Sequence, residues 1–534
     1  MTLARSIKAA HGVFAPGHLG ELTRFCPFEL VDDILDRSGR RERRLRALPS
    51  RVGVYFVLAL CLFPAVGYRR VWEKLTAGLR GLPLPSPTEK ALRDLRKRIG
   101  IRPLLQLFDT LAVPLAAPQT RGVAYRHWRT VALDGCTSIK APDRTGVRRW
   151  LIAAQDLLGL PGYPLVQLIV LCETGTRGLL TAVIDSTERG ETTLARRLLN
   201  RLDSSILLLA DRDFIGAAFL AAVRATGAHY LVRCRADVHL PRLAVLDDGS
   251  FLSQRGDQHI RVIEARLTMH CADGTRVSDT YRLVTTLTNP RTDPTDRLVR
   301  LYHERWEVET SFYSLRHTLL SRHVLRSEDP TGIVQEMWAL LVVYQLLRMA
   351  MIEAMATRPE RDVDRAGFTA CLEAARNQVI NADGILPQDD DTDPGVIGRT
   401  VVEHLLPTRR HHTRSRTLKA AHSRYYRRRP EDNLPATSSN ITNIEIAVDA
   451  PIKRPTPDEL AAILTQPTRR ERVQAVLSLD PRLSWHARHI ADLLDEDDYN
   501  NFCVWMSYHA CQGRFHKAGR AIYQLAPLTD ASPP

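Results

Sequence analysis

One stretch of the chain sets reactive side chains at a regular spacing: LYHERWEVETSFYSLRHTLL, Leu301 to Leu320. Placed on a helical wheel, Leu301, Val308, Phe312, Leu315 and Leu319 share an arc of about 60°, the stripe such a helix would bury. Tyr302, Arg305, Glu309 and Arg316 share a second arc beside it. An Arg–Glu pair four residues apart is by itself only a surface salt bridge worth ~0.3 kcal/mol. With a tyrosine and a second arginine on the same stripe, the face suits an anionic ligand held together with a cation. At ~1.5 Å of rise per residue, Arg305 lies about 6 Å from Glu309, and Tyr302 and Arg316 about 10 Å away on opposite sides. Only Glu309 and Arg305 can then address one phosphate. The outer two would hold neighbouring phosphates of an extended polymer, which favours a nucleic acid over a mononucleotide.

Two further acids can join Glu309. HWRTVALDG ends its apolar run at Asp134, and SSILLLADRDF ends at Asp211, with Asp213 a rival for the same role. Aspartates at strand tips meet ligands at the carboxyl edge of a sheet. Three carboxylates suit a pair of Mg²⁺ ions, with Mn²⁺ as a possible substitute, because hard cations take oxygen ligands. Asp134, Asp211 and Glu309 are therefore the candidate catalytic and metal-binding residues, and Tyr302, Arg305 and Arg316 the candidate nucleic-acid contacts. Trp306 is left out, since tryptophan beside such a site is more often a core anchor than a base-stacking group.

The elements that must position these residues follow from hydrophobic periodicity. Residues 1–115 read as a helical unit: PSPTEKALRDLRKRIG offers a Ser/Thr cap, an early Glu and late basic residues, equally suited to reading DNA or to packing in a bundle. From about 126 the order is three strands, a helix, a strand, a helix and a strand, so the fold class is α/β, a mixed sheet flanked by helices. PLVQLIVLCETGTRGLLTAVID supplies a hairpin within it. Residues 236–290 read as a β-rich insertion, and the core unit is expected to run from 126 to 355. Residues 356–430 form a helical and basic extension, 431–454 a Pro/Ser/Asn linker, and 455–534 a small helical unit of unknown role.

Composition bounds the rest. The 534 residues carry 74 Lys+Arg against 60 Asp+Glu, a formal charge of +14, and 44% hydrophobic residues. That excludes wholesale disorder and implies several domains. Sixty-six of the basic residues are Arg and eight Lys, a bias that codon usage can produce, yet a pI near 9.5 still suits a polyanionic partner. Nine scattered Cys without a CxxC pair argue against a disulfide framework. The uncharged run Val52–Tyr68 is short for a membrane span and contains Pro64, so it reads as a buried helix and no membrane is expected. Arg409–Arg429 holds nine basic residues and no acidic one, suited to phosphate contacts. Cys503, His509, Cys511 and His516 lack the spacing of a structural zinc site and read as core packing.

The Leu301–Leu320 segment resembles the Y-x2-R-x3-E-x6-K signature of the insertion-sequence-four family of bacterial DDE transposases. Here it reads Tyr302, Arg305, Glu309 and then Arg316, an arginine in place of the family's lysine. VALDG is similar to the family's first-Asp strand and LLLADRDF to its second-Asp segment, with Asp213 where Gly is usual. The resemblance spans residues from about 10 to 425. It implies an RNase H-like catalytic core, an N-terminal DNA-binding domain, and metal-dependent cleavage and strand transfer (cut-and-paste transposition) at terminal inverted repeats. It implies double-stranded DNA at the element ends and target as partner, a homodimeric synaptic complex, phosphate contacts by Tyr302 and Arg305, and a cytoplasmic, nucleoid-associated bacterial location. A nuclease without strand transfer, or an inactive DNA-binding remnant, are the alternatives.

Overall fold

The computed structural model describes residues 17–525 apart from 43, 45, 80–81, 152–161, 236, 384–393, 408–411, 415–437, 449–454, 480–484 and 520. Its centre is a mixed sheet. Strands β1 (Trp128–Lys140), β2 (Leu165–Glu173) and β3 (Leu179–Asp185) form an antiparallel meander, and β4 (Ile206–Ala210) and β5 (His229–Arg233) add in parallel on the other side of β1. Helical segments at 191–201 and 217–225 supply the crossovers. This is the α/β order expected, a mixed sheet flanked by helices. The insertion contributes β6 (Gln258–Cys271) and β7 (Arg276–Thr285), a long hairpin closed at Cys271–Gly274, with β7 paired to β5.

Period-two alternation assigns the two faces of the sheet. Val131 and Leu133 of β1, with Leu208 and Ala210 of β4, pack under the crossover helices with Leu194, Leu198 and Phe219. Ala132 and Cys136 bury on the opposite face with Val308 and Phe312, and Leu207 and Leu209 bury there with Leu298, Val299 and Tyr302. The 295–319 segment therefore lies across the face to which Asp134 and Asp211 also belong by parity.

Three expectations need correction. The N-terminal helices close no core of their own: residues from Leu19 to Leu111 share one apolar cluster with the Pro330–Ala356, Phe368–Asn381 and Gly395–Glu403 helices and with β1 to β3. Arg96, on the basic Glu89–Ile99 helix, is buried there; its Nε donates to Gln335 Oε1 (2.7 Å) and its guanidinium pairs with Glu336 (3.4 Å). A side chain held this way ties that helix to the centre of the molecule. Among the described residues only Pro330–Ala356 is long and apolar enough to cross a membrane, and it is instead packed on most sides by these helices. The Val52–Tyr68 run yields a helix over Ser50–Leu62 that is buried at every position but Arg51.

The second correction concerns the linker at 431–454. It contains strand β8 (Ser438–Val448), which pairs antiparallel with β6. The third concerns residues 455–534, which are not wholly helical: four helices pack with a three-stranded sheet around Trp485, Phe502, Met506 and Tyr523. The basic run Arg409–Arg429 lies outside the described residues except for a short strand at His412–Arg414.

Candidate active site

Strand β1 does not stop at Asp134. Its parallel partner β4 pairs with it only as far as Leu133↔Ala210, while the antiparallel partner β2 continues past Asp134↔Val170 to Lys140↔Leu165. Asp134 thus sits mid-strand, beside the point where β4 ends and Asp211 begins a turn. Gly135 follows because its other face is filled: an added Cβ would stand 2.7 Å from Glu191 Oε1 and 2.9 Å from Ile169 Cδ1. Asp211 caps the Arg212–Phe214 turn, its Oδ1 accepting from Arg212 N at 2.6 Å. Asp213, inside that turn, is exposed, and among the described residues it forms no ion pair with Arg305.

The helix expected over Leu301–Leu320 is broken. An α-helix over Thr295–His303 gives way at Glu304–Arg305 to i→i+3 bonding (Glu304 N to Leu301 O 3.0 Å, Arg305 N to Tyr302 O 3.1 Å). A second helix runs over Trp306–Tyr313 and opens into a π-turn at Ser314–Leu319. Tight and wide turns inside helices recur at functional sites. They also invalidate a wheel drawn at constant pitch, although Val308, Phe312, Leu315 and Leu319 are buried as anticipated.

The break delivers Arg305 to the acids. Its Nη1 lies 3.1 Å from Asp134 Oδ2, and its Nη2 lies 3.1 Å from Glu309 Oε1 and 3.9 Å from Asp211 Oδ2. Three carboxylates from three separate elements therefore meet on one guanidinium, on a side chain only 4% exposed. Glu309, whose side chain is 38% exposed, forms the solvent side of the group. Burial chiefly, and then Glu309 and Asp211, push the Asp134 carboxyl up to about 7 against the opposing pull of Arg305. Burial disfavours the Arg305 charge too, but the three carboxylates outweigh it and hold the guanidinium firmly protonated.

Arg305 was expected on a phosphate-facing stripe and is found inside the site. Tyr302 is buried as well. Its hydroxyl donates to Ala210 O (3.1 Å), the carbonyl just before Asp211, and its ring meets Tyr281 edge-on at 5.3 Å. In this structure Tyr302 supports the end of β4 and presents nothing to solvent. Arg316 ties the π-turn back to β1: its Nη1 donates to Ser138 Oγ and its Nε to Phe312 O (3.4 Å).

Sequence reasoning missed a buried network behind this helix. Arg177, in the β2–β3 turn with φ +60°, bridges Glu307 and Asp364, all three inaccessible to solvent. Glu307 is two residues from Glu309, so the network fixes the inner side of the helix whose outer side carries the acid. On the wheel Glu307 falls on the polar side, beside Ser311, Ser314 and Thr318, so nothing in the pattern marked it for burial.

All-oxygen donors suit hard divalent cations. Among the described residues, however, no three acidic, His or Cys side chains are arranged to hold an ion outright, Cys503, His509, Cys511 and His516 included. The three acids are instead gathered around Arg305.

Residues 16–109 match the family described as insertion element 4 transposase N-terminal, and residues 130–346 match the transposase DDE domain. The chain is 25% identical over 338 residues to the transposase InsG for insertion sequence element IS4 of Escherichia coli (strain K12), across 61% of this chain and 75% of that protein. A cryo-EM structure of piggyBac transposase in a synaptic complex with hairpin DNA aligns at a TM-score of 0.36 and 9% identity, across 72% of this chain and 84% of that one. At that score the likeness carries no argument. The sequence matches define an enzyme of DNA transposition, a DDE transposase. Within that class the chain belongs to the insertion-element-4 family, whose members use divalent metal.

Proposed function

We propose that this transposase binds the terminal inverted repeats of its element as a homodimer, cuts the DNA at the element ends, and joins the freed 3′ ends to target DNA, with Asp134, Asp211 and Glu309 as catalytic acids. The observation that carries the reading is the convergence of these three carboxylates on Arg305 from β1, the end of β4 and the Trp306–Tyr313 helix. Carboxylates that share no local structure gather at one point only at a cost in repulsion and desolvation, and that cost makes sense at a site that will take up positive charge. The three acids would hold Mg²⁺, a pair of ions in the fullest form of the reading. Bound there, metal would supply activation of a water or 3′-hydroxyl and stabilisation of the leaving oxygen. The chain's own contribution is placement: β1 and β4 fix two acids on adjacent strands, and the buried Arg177–Glu307–Asp364 network holds the helix that brings the third. Arg316, anchored to Ser138 and half-buried, is the arginine of this segment with access to a neighbouring phosphate, since Arg305 is buried.

The test uses precut and uncut DNA carrying the element's own ends, with Mg²⁺. Wild type should nick and join. Asp134→Asn, Asp211→Asn and Glu309→Gln should bind the same DNA and do neither. Cleavage by any of the three at the wild-type rate would remove that residue from the assignment.

A further inference from the structure

Arg305 bears on how this site is loaded. It is the one cation touching all three acids among the described residues, it is buried, and its Nε finds no hydrogen-bond partner there. A guanidinium so placed occupies ground on which a cation shared by the three carboxylates would have to stand. Nor can it reach a DNA phosphate while it remains there. Its backbone lies in the i→i+3 turn joining two helices.

We propose that Arg305 is a resident counter-cation, a positioning residue that holds the three acids together before metal arrives and must give way for metal to bind. The inference rests on the reading of Asp134, Asp211 and Glu309 as the metal-binding acids. It assigns the resting state: closed on arginine, with mutual repulsion among the carboxylates neutralised from within. Metal loading and release of Arg305 are then a single event, so the guanidinium becomes available to DNA only in the loaded enzyme.

A purely structural role predicts that losing Arg305 weakens metal binding, because the acids would scatter. The counter-cation role predicts the opposite. The experiment measures Mn²⁺ binding by electron paramagnetic resonance, without DNA, in full-length wild type, Arg305→Gln, Asp134→Asn and the double variant, together with thermal midpoints in EDTA and in saturating Mn²⁺. Arg305→Gln should bind Mn²⁺ about tenfold tighter than wild type, the worth of one charge-assisted hydrogen bond that metal no longer displaces. It should melt below wild type in EDTA and recover most of the deficit with Mn²⁺. Equal or weaker Mn²⁺ binding by folded Arg305→Gln overturns the inference. Should that variant fail to fold, Arg305→Lys decides, because an ammonium cannot fork across the same carboxylates: tighter binding than wild type supports the role and equal binding refutes it. If the double variant binds Mn²⁺ as tightly as Arg305→Gln, what fails is the assignment of Asp134 to the metal site, a distinct result.

Discussion

The elevated proton affinity of Asp134 makes a quantitative prediction about stability. With metal chelated, its carboxyl titrates at about 7 in the folded protein and near its ordinary 3.8 in the unfolded chain. Between those values the native state binds more protons than the unfolded state, so stability falls as pH rises; the loss is complete above the folded value and absent well below the unfolded one. From pH 5 to pH 8 the folded group gives up its proton across about two units, and at 1.36 kcal/mol per unit that removes roughly 2.7 kcal/mol. The side chain is 16% exposed, so solvent screening lowers the figure somewhat. Asp134→Asn carries no such titration. In EDTA, the stability of the Asn variant relative to wild type should therefore increase by about 2–3 kcal/mol between pH 5 and pH 8, read from urea unfolding followed by tryptophan fluorescence. Because only the change with pH is compared, any constant difference between Asp and Asn cancels. Saturating Mg²⁺ should abolish the trend, because a metal-bound carboxylate is no longer unfavourably charged. A stability difference that stays flat across this range in EDTA would refute the account of the site as a cluster of strained carboxylates.

Other outcomes follow from neighbouring groups. Arg177→Met leaves Glu307 and Asp364 buried without their cation and should destabilise the protein by about 3–5 kcal/mol, with much of the loss restored in the Arg177→Met/Glu307→Gln/Asp364→Asn triple variant; an unfolding midpoint within error of wild type for Arg177→Met would dismiss the network. Tyr302→Phe gives up the bond to Ala210 O, costing about 1 kcal/mol, and should leave the salt dependence of DNA binding untouched. A shallower salt slope would instead put Tyr302 on a phosphate during the reaction. Alanine at several arginines between Arg409 and Arg429 should flatten that slope by up to roughly 0.9 log units for each phosphate no longer neutralised, and an unchanged slope would exclude the run from the DNA interface.

Much of the sheet was legible because its signals are local. Alternation in VALDG and the apolar run ILLLA, with turn residues between them, order β1 to β5 without any knowledge of their partners. Carboxylates at Asp134, Asp211 and Glu309 stand out for the same reason. Their common partner did not, since Arg305 meets Asp134 across 171 residues and a helical wheel shows which side chains share a face but not what the face meets. Constant pitch also hid the break at Glu304–Arg305, which turns an outward stripe inward. Similarly, the apolar faces of the N-terminal helices announced burial but not that Pro330–Ala356 would be the element burying them. The β8 strand had a readable signal, Ile444, Ile446 and Val448 alternating with Glu445 and Ala447, outweighed by the Pro, Ser and Asn around it.

Strand β8 has a practical consequence. It covers the outer edge of β6 from Cys271 to Ala265, and Arg300, from the helix leading into the active-site segment, donates to its Ile444 carbonyl at 2.9 Å. A polypeptide trimmed at the compositional boundary near residue 430 would strip that cover, baring a long row of unsatisfied backbone groups ready to recruit the same edge of another molecule. Self-association after such trimming would be a symptom of an uncapped sheet and should not be mistaken for synapsis; shortening the protein after Val448 avoids the artefact.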